Sequence, residues 1–175
     1  DSALPSNKTP IPLNGNGATI ERAGGSPDFR LLNVNAGGSL TLNRVTITGG
    51  NTTNKGGGIR NQGGTLVLFD STIAGNIAGN GGGFFRGGGI HNTGTLTVVN
   101  STISGNSSPD GGGIFRMAGT VSVTNSIVWG NNTQIYGTVT VIHSLIEGGF
   151  AGTGNLAVDP LFVSPVPHTS APPTA

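Results

Sequence analysis

GTLTVVNSTISGN, residues 94–106, contains no charged residue and closes on Gly-Asn. From Thr95 to Val98 polar and apolar side chains alternate with a period of two, which selects a strand over a helix. The alternation predicts Leu96, Val98 and Ile103 on an inner face and Thr95 and Thr97 on an outer one, where β-branching suits the extended backbone. Gly105 and Asn106 both tolerate a positive φ, so the chain is expected to turn there.

The stretch has four relatives. SLTLNRVTITGG (39–50), TLVLFDSTIAGN (65–76), TVSVTNSIVWGN (120–131) and TVTVIHSLIEGG (138–149) align with TLTVVNSTISGN (95–106), with starts 26, 30, 25 and 18 residues apart. Three inner columns result: Leu40, Leu66, Leu96, Val121, Val139; Leu42, Leu68, Val98, Val123, Val141; and Ile47, Ile73, Ile103, Val128, Ile146. A polar corner recurs at Arg44, Asp70, Asn100, Asn125 and His143, followed by a small-residue column of Ser71, Ser101, Ser126 and Ser144. Asn76, Asn106 and Asn131 are placed to stack as an amide ladder. Between the first four rows lies a second element: GGGIRN (56–61), GGGIHN (87–92) and GGGIFR (111–116).

A period of 20–30 residues with fixed strands and variable connectors marks a solenoid. A helical reading conflicts with the β-branched residues and the recurring Gly. A hairpin meander would reverse alternate rows and destroy the columns. The expected fold is all-β, a parallel β-helix of about six coils spanning residues 14–163, with an extended segment over 1–13 and a Pro-rich tail over 164–175. Only Pro109 of ten prolines falls within residues 39–149, in a connector, as central strands require. Leu161 and Phe162 are expected to plug the C-terminal end of the core. The Pro-rich ends, if ordered, would dock on a neighbouring subunit.

Composition narrows the function. Hydrophobic residues make up 34% and charged residues 9% of the chain, so a large round core is not expected. A net charge of +1 excludes the basic face of a nucleic-acid binder. With no Cys, thiolate metal sites and disulfides are ruled out. Apolar runs such as Leu66–Phe69 are far shorter than the roughly 20 residues of a membrane helix, so no membrane insertion is expected. A start at Asp1, with neither Met nor a signal peptide, reads as a mature or excised piece of a longer precursor.

The series GGGIxN, GTLTVxNSTISGN, NSIVWGN, SLIEGG, GTGN and DPLFV, with NGNGATIERAGGSPDFRLLNV near the start, resembles a group of bacterial extracellular right-handed parallel β-helix proteins. These are related to the polymorphic outer-membrane-protein repeats and the choice-of-anchor surface proteins. The chain departs from the polymorphic repeat in lacking its Phe-x-x-Asn spacing. The resemblance implies a secreted or surface-exposed rod used for adhesion, assembly or spacing.

Parallel β-helices also host polysaccharide lyases and glycosidases, which need converging carboxylates. The seven acids, Asp1, Glu21, Asp28, Asp70, Asp110, Glu147 and Asp159, share no column in adjacent rows, so no catalytic residue, cofactor or metal site is expected. His91, in the column of Arg60 and Phe115, and His143 read as solvated surface groups. The glycine runs lack the Lys-Ser/Thr of phosphate loops and read as tight corners. Arg60, Arg86 and Arg116, with Phe84, Phe85 and Phe115, form a candidate strip for a glycan or a partner chain. Trp129, outward in the column of Ala74 and Ser104, is a candidate for sugar stacking or an interface. A threonine column, Thr46, Thr72 and Thr102, suggests ordered water but breaks at Ile127 and Leu145. The expected function is structural: a non-catalytic bacterial extracellular or cell-surface module forming a homo-oligomer or filament, with an adhesin or glycan-binding module as the alternative and a polysaccharide-active enzyme as the third reading.

Overall fold

In the computed structural model the described residues are 9–79 and 86–163. Each repeat row becomes a pair of short strands separated by a corner. The first rows are single long strands, β1 (Pro10–Glu21) and β3 (Ser39–Thr48), divided by β2 (Leu32–Asn35). The chain continues through β4 (Asn51–Thr52), β5 (Ile59–Gln62), β6 (Thr65–Phe69), β7 (Thr72–Ala74), β8 (Ile77–Ala78), β9 (Ile90–Asn92), β10 (Thr95–Val99) and β11 (Thr102–Ser104). It ends with β12 (Ile114–Arg116), β13 (Thr120–Thr124), β14 (Ile127–Trp129), β15 (Ile135–Tyr136), β16 (Thr140–Ile142) and β17 (Leu145–Ile146).

Every pairing between these strands is parallel. The largest sheet runs β16-β13-β10-β6-β3-β7-β11-β14-β17 with β1 on β3, so β3 bends through the corner and carries both arms. A five-stranded sheet, β15-β12-β9-β5-β2, closes the coil, and β4-β8 forms a small third wall. The protein is therefore a parallel β-solenoid. The closing sheet completes four turns, from β2 to β15, beside the six rows, β1 to β16–β17, of the larger sheet. The expected six coils come from counting rows; the five strands of the closing sheet enclose about four complete turns.

Register is what builds the core. Leu40, Leu66, Leu96 and Val121 are direct ladder partners, as are Ile47, Ile73, Ile103, Val128 and Ile146. The closing sheet adds Leu32, Ile59, Ile90, Ile114 and Ile135 in one column. All but the half-buried Ile135 are buried, and each full burial contributes roughly 1.5–3 kcal/mol. Each coil uses its neighbour as its other wall, which is how a chain with few large hydrophobes folds.

The corner obeys a simple rule. Arg44, Asp70, Asn100, Asn125 and His143 all sit at φ between 49° and 55°, a conformation that turns the strand outward. The following Ser then lacks a regular ladder acceptor for its N–H. Ser71, Ser101 and Ser126 each donate that N–H to the Ser hydroxyl one level on (3.1 Å), and each hydroxyl donates to the carbonyl two residues back. At the second turn only Gly105, with φ 61°, takes the positive region. Asn106 instead points into the interior. Asn76 Nδ2 donates to Asn106 Oδ1, and Asn106 Nδ2 donates to Asn131 Oδ1, both at 3.0 Å, while Asn131 Nδ2 donates to Gln134 Oε1 at 2.7 Å.

The glycine triplets are not corners as such but a stacked ladder. Gly57 and Gly58 donate to the carbonyls of Gly87 and Gly88. A Cβ on Gly57 would lie 2.2 Å from the Ile77 carbonyl oxygen, so the close backbone approach forbids any side chain.

Both ends differ from expectation in detail. Pro10–Leu13, expected to lie before the helix, pairs with Ser39–Leu42 as part of β1. At the other end Leu161 is 79% exposed and plugs nothing. The last level is covered upstream: Phe150 packs on the core, Ser144 N donates to Asn155 Oδ1, and Ile146 N donates to the Leu156 carbonyl. Thr153–Leu156 can follow the ladder because its backbone donors and acceptors match the open edge of β17, whereas Leu161 sits in an Asx turn closed by Asp159. The tail from residue 164, with its expected docking, lies outside the described residues, as do residues 1–8.

Candidate functional site

The closing sheet presents one outward column: Asn33, Arg60, His91, Phe115 and Tyr136, each the ladder partner of the next. Stacking at the ladder spacing forces flat groups into contact. The His91 and Phe115 rings lie 5.5 Å apart at 14°, and Phe115 and Tyr136 lie 4.8 Å apart at 12°. Arg86, just before the GGGI segment of His91, sets its guanidinium 4.9 Å from the Phe115 ring centre. Its Nε also reaches Asp110 Oδ2 at 3.3 Å.

Although this column points outward, His91 and Phe115 are each only 2% exposed, and nearby Arg30 is 4% exposed. Lys55, Arg60 and Arg86 are half-buried around them. Four of the chain's eight cationic side chains therefore gather here. Burial, then repulsion from Arg60, lowers the Arg30 pKa to about 10. Burial, then the charges of Lys55, Arg60, Arg30 and Arg86, lowers that of His91 to about 4. His91 is thus neutral at neutral pH, and it is not the solvated surface group expected from sequence: the ring is walled in by Phe115 below and the cations around it.

The polar groups in this cluster are incompletely satisfied. Among the described residues, Arg30 Nε and Nη2, Arg60 Nε, and both ring nitrogens of His91 are buried without a hydrogen-bond partner. Such groups are uncommon in folded proteins, because each costs its full desolvation penalty.

The other expected residues divide. Arg60 and Arg86 come together around His91 and Phe115. Arg116 does not join them: its ladder partner is Asn92, one column over, and its Nε donates to the Gly119 carbonyl at 2.9 Å. Phe84 and Phe85 lie outside the described residues. Trp129 stands on a different sheet, in register with Ser104, and lines a pocket with Asp159, Leu161 and Phe162. Thr46, Thr72 and Thr102 do form a column, extended upward by Thr19. His143 is an exposed corner residue.

Arg30, Lys55 and Tyr136 were missed from sequence. Tyr136 was findable: NTQIYG repeats the Ile-aromatic pair of GGGIF without the glycines that flag it. Arg30 carried no such signal, since it precedes the first copy of the motif. Comparison with protein-family models, with curated proteins and with solved structures found no match to this chain.

Proposed function

We propose that the chain is a non-catalytic rod module of a bacterial extracellular or cell-surface protein, of the polymorphic outer-membrane-protein-repeat or choice-of-anchor kind, that self-associates end to end or through its termini. The observation that carries this reading is the stacked ladder. The aliphatic columns run through the described rows, with the Ser column spanning four of them and the Asn column three, so the interior grows by stacking one turn on the next. The low charge removes the repulsion that would oppose stacking of one copy on another. At the C-terminal end Leu156, Val158, Leu161 and Val163 are exposed together in sequence, an apolar end suited to a second copy.

The carboxylates support the non-catalytic part. Asp28 bonds Asn51, Asp110 pairs with Arg86, Glu147 accepts from Gly130 N and Gln134, and Asp159 accepts from Leu161 N. Asp28, Asp110 and Glu147 tie together segments 13 to 24 residues apart, and Asp159 closes a local turn. The motif series quoted above supports the family and the extracellular setting; no helix of the described residues is long and apolar enough to cross a membrane. Sedimentation and electron microscopy over a wide concentration range test the proposal. Growth into dimers and rods is expected; monomers alone at the highest concentration overturn it.

A second reading, an adhesin or glycan-binding module, is favoured by the Arg86–Phe115 contact within a partly exposed cation–aromatic column. A glycan array probed with the protein and with Arg86→Ala tests it. Binding weakened by the substitution supports the reading, and an array without hits removes it.

A further inference from the structure

The geometry points to a binding site, formed by Arg30, Arg60 and His91, for an oxyanion group that carries a hydroxyl. Hydrogen phosphate and a hydroxyl-bearing sugar carboxylate share this chemistry. The inference deepens the ligand-binding reading above and is independent of self-association.

Three observations carry it. The first is which atoms lack partners. Arg30 Nε and Nη2 are the two nitrogens along one edge of the guanidinium, and their N–H bonds run parallel. That edge is the fork that grips two oxygens of a carboxylate or phosphate. Arg60 Nε supplies a further donor from the adjacent turn.

The second is charge. Arg30, Lys55, Arg60 and Arg86 lie around His91, and among the described residues Asp110, paired with Arg86, is the one carboxylate bonded within the group. Burying an uncompensated guanidinium such as Arg30 is costly, and an incoming anion removes that cost at once. The half-buried Lys55, Arg60 and Arg86 add a positive field that attracts an anion.

The third is His91. Held neutral, it offers one N–H and one lone pair, and neither has a partner. The N–H suits an oxyanion oxygen. The lone pair needs a donor, which bare sulfate lacks and which hydrogen phosphate or a sugar hydroxyl provides. The stack on Phe115 keeps the ring in this plane, so both nitrogens stay at its edges.

The test uses the whole chain in chloride buffer at neutral pH. The Nε–Hε NMR resonances of Arg30 and Arg60 are followed during separate titrations with inorganic phosphate, sodium sulfate and D-galacturonate. Saturable shifts of both resonances with phosphate or galacturonate, and weaker binding of sulfate, are expected. Arg60→Gln, at a partly exposed outward position, should weaken phosphate binding by about tenfold. Its melting temperature without ligand shows whether it has folded; should it fail, His91→Phe, which keeps the ring stack and removes both nitrogens, takes its place. Tighter binding of phosphate identifies the free ion as the ligand, and tighter binding of galacturonate identifies a saccharide acid. Shifts that stay linear with all three probes, or that survive unchanged in the folded variant, overturn the site. Sulfate binding as tightly as phosphate overturns the hydroxyl requirement. Because the phosphate arm needs no glycan, an empty glycan array and a failed anion site are separate results.

Discussion

The same stacking rule has opposite consequences on two sides of the rod. In the interior ladder Asn76, Asn106 and Asn131 repeat one side chain, and an amide carries both a donor and an acceptor. Each copy therefore satisfies the next: Asn106 Oδ1 accepts from both the N–H and the Nδ2 of Asn76, while its own Nδ2 donates to Asn131 and to the Ile73 carbonyl. On the outer face of the closing sheet the column is Asn33, Arg60, His91, Phe115, Tyr136. Unlike groups meet there, and guanidinium has only donors to offer its neighbours. Repetition of an amphoteric group closes its hydrogen bonds; a mixed column of cations and rings leaves them open. The first is a structural device, and the second needs something from outside.

That contrast can be broken at four points. Asn106→Ala should cost the most. It removes the shared acceptor of Asn76 and the donor to Asn131 in a buried network, so a loss on the order of 3–5 kcal/mol is expected from urea unfolding. A loss below 1 kcal/mol would show that the ladder is not the stabilising element.

His91→Phe sharpens the other side. The folded pKa of about 4 lies below the ordinary 6.5, so between those values the unfolded chain binds more protons than the folded one. Stability contributed by neutral His91 is present above pH 6.5 and is lost as pH falls toward 4. The loss is on the order of 2–3 kcal/mol across that window. In His91→Phe the midpoint of urea unfolding should lose this slope while retaining whatever the carboxylates contribute.

Arg30→Met tests whether the buried guanidinium is uncompensated. In chloride buffer the melting temperature should stay level or rise, by about 1–2 kcal/mol in stability, because a desolvated charge is replaced by an apolar chain of similar length. A fall of several kcal/mol would show that Arg30 is paired after all. The smallest effect is expected at the corner: Asn125→Ala, at φ 49°, should cost about 1 kcal/mol through backbone strain alone, with Asn125→Gly nearly neutral.

How much of this could be read in advance follows from the physics of each column. Leu66 and Leu96 announced themselves because a solenoid presents every inner position to the same environment once per turn, and the same residue type answers each time. The Ser column was legible as a small inward column, though its role, lending a hydroxyl to the displaced N–H after the positive-φ corner, was not. Asn106 reads from sequence both as a turn residue and as a rung of an amide ladder with Asn76 and Asn131; the ladder forms, while the positive φ falls on Gly105 alone.

The site was legible only in fragments. Arg60 and Arg86 stood out as cations ending glycine segments, and they do converge. Arg116 ended the same kind of segment and does not, because a shift of one residue along the strand moves it to the neighbouring column. His91 looked exposed, since its position is outward by alternation. Alternation reports which way a side chain points, and burial of an outward group is decided by what lies against it.

The sequence by itself determined the parallel coil, its register and its aliphatic interior, because those depend on a period of two within a row and on identity between rows. Only the tertiary structure decided which polar groups are satisfied and which are left open. Hydrogen bonding is a pairwise property of atoms brought together from different turns, and it cannot be read from any row alone. The Asn ladder and the Arg60–His91 column both follow from stacking, and only the folded arrangement separates the one whose hydrogen bonds close from the one whose donors are left unpaired.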